Sequence, residues 1–265
     1  MDTPVSRTDA EKVDRRLAAS RWPPLNDPYD RALREAVGDI LTWIPDLLGI
    51  IASGTIIRGT PHPSSDLDLY VLRRAHRRQR IQRWYHGVPA EIFINPVPKV
   101  KAYIEAEGKE GRPITAHMVA TGFVVLKLGP EVDALIEDAK RALARPFDPP
   151  AERLTQVRYG AATRYEDATD IAAERPETAL MIMDLAVRDM VHYTFIRACR
   201  RLPRDKNLLT ALADLSPALA TRVRRYYRAC STEERLEVAQ QIADETIETH
   251  GFFEWASPEE DVAVD

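Results

Sequence analysis

The chain has 265 residues, 45% of them hydrophobic and 29% charged, with 2 cysteines and a formal net charge of −4. That balance is the one expected of a globular protein with one large or two ordinary domains, and it excludes a disulfide-stapled scaffold. The opening MDTPVSRTDAEKVDRR lacks the apolar stretch of a secretory leader, and no run approaches the roughly 18 to 20 apolar residues that span a bilayer, so a cytoplasmic protein with no membrane partner is expected.

Residues 1–28 read as an irregular or partly helical lead-in. From Pro28 to about Leu48, Leu33, Val37, Ile40, Leu41 and Ile44 recur at helical spacing and predict an amphipathic helix. LLGIIAS (47–53), DLDLYVL (66–72) and PAEIFIN (89–95) are apolar, β-branched runs of strand length. The basic stretch RRAHRRQRIQRWYHG between the last two reads as a helix. Helices are expected at 98–108, 113–121 and 131–144. The three prolines of ARPFDPPAERL (144–154) then make a hinge. Beyond it the chain reads as wholly helical, over about 150–174, 177–200, 206–214, 216–229 and 231–249. The expected architecture is α+β: a domain over 1–148 with a small mixed sheet flanked by helices, then an all-α bundle over 149–265.

Charge is distributed unevenly over these parts. Positions 51–100 hold eight Lys/Arg against three Asp/Glu, whereas from Ser231 onward eleven acids face one base, Arg235. The first region suits an anionic ligand, and the second suits solvent or a cationic one.

The three acids of the basic region carry the chemistry. In an extended strand Asp66 and Asp68 point the same way while Leu67 and Leu69 enter the core. Two carboxylates on one face repel, a cost that a cation between them relieves. Oxygen ligands with no nearby His or Cys favour Mg²⁺. Alternation in Ala90–Asn95 sets Glu91, Phe93 and Asn95 on one face, so a neighbouring strand can bring Glu91 beside the pair, as a third ligand or as a general base. Upstream, Gly54 and Thr55 follow the first strand, where glycine permits close backbone approach and a helical turn offers N–H groups to a phosphate. Ser65 can add a hydroxyl.

Gly54-Thr55, then Arg58-Gly59, then Ser65-Asp66-Leu67-Asp68-Leu69, then a later strand glutamate, resembles the signature of the DNA-polymerase-β-type nucleotidyltransferase superfamily over residues 50–95. Thr55 stands where serine is usual and keeps the hydroxyl. A mixed domain followed by a helical one is similar to the aminoglycoside nucleotidyltransferases of the streptomycin/spectinomycin type. Leu202-Pro203-Arg204-Asp205-Lys206 resembles the point where those enzymes present a lysine to the nucleotide phosphates. Between the helix beginning near Glu177 and Lys206 the likeness is one of helix order, and it implies no acceptor contacts.

The resemblance implies attack by an acceptor hydroxyl on the α-phosphorus of a nucleoside triphosphate, ATP for preference, with pyrophosphate leaving. It implies two Mg²⁺ ions about 3.5–4 Å apart, held by Asp66, Asp68 and Glu91. Gly54, Thr55, Arg58, Ser65 and Lys206 would bind the nucleotide. Asp184, Arg188 and His192 lie four residues apart on one helix face and either line an acceptor pocket or form an intrahelical ion pair with a satisfied histidine. The six arginines from Arg73 to Arg83 contact phosphates or form a solvated face. The aromatic tail Gly251–Trp255 is expected to pack on the bundle. The expected acceptor is a small molecule, such as an aminoglycoside-like cation bound for antibiotic resistance. RNA or protein is the alternative acceptor, and a non-catalytic nucleotide-binding module a further reading. The chain is expected to be a monomer or homodimer.

Overall fold

The computed structural model describes residues 7–257 and 259. The chain divides into two compact units at Arg145–Pro146.

In the first unit the lead-in forms helix α1 (Arg7–Ala18), and α2 follows at Tyr29–Trp43. Ala32, Leu33, Ala36, Val37, Ile40 and Leu41 make the buried stripe of α2, and Pro45 stops it. β1 (Leu47–Ser53) is buried along its whole length because it is central and both its faces are covered. Ile50 and Ala52 join the core under α2, while Leu48 and Ile51 join a second core on the opposite face. After a single helical turn, α3 (Gly54–Ile57), the chain returns as β2 (Leu67–Arg73), antiparallel to β1.

The stretch read as a basic helix is a strand. β3 (Gln79–Tyr85) pairs antiparallel with β4 (Val88–Pro96) through a two-residue turn, His86–Gly87, in which both residues have positive φ (48° and 78°). Such a turn matches the twist of a hairpin. β3 is an edge strand, where charged side chains discourage pairing with other chains. Part of its packing comes from arginine head groups: the Arg80 guanidinium lies 4.9 Å over the Phe93 ring and that of Arg83 4.7 Å over Trp43. With arginines in those places little hydrophobic alternation is left to read.

Helices α4 (Val97–Lys109), α5 (Ile114–Thr121) and α6 (Glu131–Ala144) cover the second face, and a short strand not foreseen from sequence, β5 (Phe123–Lys127), closes the other edge. The sheet order is β3-β4-β2-β1-β5, with only β2 and β4 parallel. The unit is therefore mixed, with a five-stranded sheet between helical layers.

The second unit is helical: α7 (Ala151–Asp170), α8 (Pro176–Arg197), a 3₁₀ turn at Asp205–Asn207, α9 (Leu208–Leu215), α10 (Pro217–Arg228) and α11 (Thr232–Thr246). Ser216 and Ser231 cap the last two, accepting from the N–H groups of Leu219 and Glu234. Its separate core includes Met183, Val187, Leu212, Tyr226 and Ile242. The aromatic tail lies on this unit, with Phe253 against the core and Trp255 5.5 Å from the Tyr159 ring. Among the described residues no helix is long and apolar enough to cross a membrane.

Candidate active site

Asp66 immediately precedes β2, and Asp68 is its second residue. Leu67 and Leu69 are fully buried, so strand alternation turns both aspartates the other way. Across the parallel β2–β4 pair Asp68 stands opposite Glu91. The three half-buried carboxylates converge, with one potential ligand oxygen from each lying within 4.8 Å of the others. The same alternation on β4 sends Ala90, Ile92 and Ile94 into the core under α2. Phe93 stacks on Tyr70 on the other side, with ring centroids 5.8 Å apart.

Gly54 is the close neighbour of this cluster. Its φ is +94°, a left-handed conformation that side chains resist, and a Cβ there would lie 2.7 Å from Asp68 Oδ2. Glycine is therefore demanded twice, once by the backbone and once by the carboxylate. Next to it, the Thr55 and Ser65 hydroxyls share a 2.8 Å hydrogen bond, and the His62 N–H donates to the buried Ser65 Oγ at 2.8 Å. These bonds tie the 58–65 loop to the turn after β1. Arg58 is exposed at the end of that turn.

Two residues that sequence reasoning missed complete the cluster. Arg80 Nε and Gln82 Nε2 donate to Glu91 Oε1 at 2.8 and 2.7 Å, and Arg80 Nη2 donates to the same oxygen. The signal was the His86–Gly87 pair. Tyr85 opposite Val88 across a two-residue turn fixes Gln82 opposite Glu91 by counting back.

The remaining candidates belong to the second unit. Lys206 is exposed in the 3₁₀ turn. Asp184, Arg188 and His192 are all on α8, where Arg188 Nε lies 3.8 Å from Asp189 Oδ1 and the Asp189 carboxylate also accepts from Arg164 at 2.6 Å. Burial, reinforced by the Asp184 carboxylate, raises the hydroxyls of Tyr226 and Tyr227 above the ordinary tyrosine value.

The three carboxylates suit a hard divalent cation: they offer only oxygen and they are crowded, and Glu91 is paired with Arg80. No protein-family model and no curated protein matches the chain. Among solved structures it is similar to a nucleotidyltransferase-like protein from Exiguobacterium sibiricum 255-15, with a TM-score of 0.52 and 12% identity over 82% of this chain and 73% of that one. At that identity the likeness is one of fold: the chain has the mixed sheet-and-helix fold of a nucleotidyltransferase-like protein.

Proposed function

We propose that the protein is a magnesium-dependent nucleotidyltransferase that moves AMP from ATP to a hydroxyl of a small cationic acceptor and releases pyrophosphate. The observation that carries the reading is the convergence of Asp66, Asp68 and Glu91 beside a glycine that leaves room for one of them. The fold likeness supports it.

In this reading Asp66, Asp68 and Glu91 hold the metal, which when bound supplies positive charge to the reacting phosphate. Gly54 lets a phosphate approach the backbone, and the Thr55–Ser65 bond keeps the loop from closing over it. Arg58 and Lys206 balance triphosphate charge. Glu91 takes the proton of the acceptor hydroxyl as its oxygen bonds to the α-phosphorus and the bond to pyrophosphate breaks. Asp184, Arg188 and His192 are assigned to the acceptor. The acidity of the chain beyond Ser231 favours a cationic acceptor.

A second reading, an RNA acceptor, draws on the arginines between Arg73 and Arg83. Several of those are already engaged: Arg73 with Asp46, Arg80 with Glu91 and Arg83 with Asp39. The test supplies Mg²⁺ and each α-labelled nucleoside triphosphate, with aminoglycosides in one series and total bacterial tRNA in another. Label on an aminoglycoside supports the reading. Label on tRNA replaces the acceptor. Tight nucleotide binding without pyrophosphate release under any acceptor would favour a non-catalytic module.

A further inference from the structure

We propose that Arg80, helped by Gln82, is the positioning residue for Glu91 and restrains divalent-cation loading of the acidic cluster until a nucleotide arrives. This rests on the reading of Asp66, Asp68 and Glu91 as a metal site.

The geometry is specific. Gln82 lies directly opposite Glu91 in the β3–β4 ladder and Arg80 opposite Phe93, so both side chains rise from the sheet face that carries Glu91. Three N–H groups from them end on one oxygen, Oε1. A carboxylate oxygen with its lone pairs so occupied is a poor metal ligand and a poor base, which leaves Oε2, with its two lone pairs, to face both the cation and the acceptor hydroxyl. The guanidinium is fixed from a second side by the Phe93 ring, 4.9 Å away. The partners differ in exposure: the Glu91 side chain is 15% exposed and that of Arg80 62%. Arg80 therefore sits at the rim, holding a largely buried acid from outside.

Charge follows from the same contact. The Arg80 guanidinium offsets one unit of the negative charge that Asp66, Asp68 and Glu91 gather, so less of it is left to hold cations, and an arriving triphosphate adds more. Without Arg80 the cluster attracts cations on its own, while Glu91 loses the bonds that fix its orientation. Removing Arg80 should thus strengthen metal binding and weaken catalysis together, whereas loss of a merely structural arginine would lower both.

The test titrates the full-length protein with Mn²⁺ at fixed pH without nucleotide, counting free ion by electron paramagnetic resonance. Parent, Arg80→Met, Arg80→Lys, Gln82→Ala and Asp66→Asn proteins are compared, with kcat and KM measured alongside. Arg80→Met should bind Mn²⁺ about threefold to tenfold more tightly, with kcat lowered about tenfold and KM for the triphosphate changed less. Arg80→Lys should return Mn²⁺ affinity to the parent level and recover kcat only in part, because an ammonium cannot make the forked contact. Gln82→Ala should lower kcat without tightening Mn²⁺. Mn²⁺ affinity in Arg80→Met equal to or below that of the parent overturns the inference alone. Identical Mn²⁺ binding by the parent and Asp66→Asn overturns the metal reading beneath it. Melting temperatures keep a folding defect apart from either outcome, and Gln82→Ala tests the clamp if Arg80→Met does not fold.

Discussion

The two units treat their carboxylates in opposite ways. In the helical unit several acids are spread apart, each met by its own arginine: Glu234 by Arg225, Glu245 by Arg222, Glu248 by Arg197. In the sheet unit three acids are forced together by strand pairing, with Arg80 on Glu91. A helix sets neighbouring side chains about 5–6 Å apart and lets long ones swing clear. Paired strands lie about 4.7–4.9 Å apart and the backbone ladder allows no retreat. Crowding of like charge is therefore a property of the register, and it marks the sheet unit as the place where charge from outside is needed.

The comparison breaks first at the aspartates. Asp66→Asn or Asp68→Asn should reduce nucleotidyl transfer by about a hundredfold or more, while metal-free Asp66→Asn should melt no lower than the parent because repulsion is relieved. Undiminished turnover in either variant, measured by pyrophosphate release, removes the assignment. Gly54→Ala should be the next largest effect. A side chain at φ +94° against Asp68 Oδ2 should cost about 1–3 kcal/mol of stability, read from denaturant unfolding. A matching surface change in the helical unit should be nearly silent.

A smaller and sharper contrast lies in two buried tyrosines. Burial, then the Asp39 carboxylate that accepts its hydroxyl at 3.1 Å, pushes Tyr85 up to about 12. Tyr226 is raised by burial and Asp184. Below pH 10 these hydroxyls are protonated in both folded and unfolded chains. Above it the unfolded chain ionises first, so stability should fall as pH rises from about 10 through 12. Asp39→Asn should bring the Tyr85 value down and leave that of Tyr226 in place, as ultraviolet absorption would follow.

Central and edge strands were not equally legible in the sequence. LLGIIAS reads as a strand because β1 is covered on both faces and needs apolar residues throughout. β3 hides because Arg80 and Arg83 lay their guanidinium groups over aromatic rings, so charged letters stand at packed positions. β5 hides because five residues between two helices are too few to show a period. Alternation alone placed Asp66 and Asp68 on one face. That Glu91 stands beside Asp68 depends on β4 lying next to β2 in parallel, a fact of topology that no local pattern contains. On α8 the four-residue spacing of Asp184 and Arg188 was visible, whereas the arginine that meets Asp189 comes from α7 and only the packed helices reveal it.

The His86–Gly87 turn sets more than the shape of a hairpin. Side chains alternate with a period of two, so one residue inserted or removed there would slide β3 by a single step against β4. Ile81 and Arg83 would then come round to the face of Glu91, and Arg80 and Gln82 would turn toward α2. Two residues at positive φ, well along the strand from Glu91, act as an index mark that decides which side of β3 the acids meet.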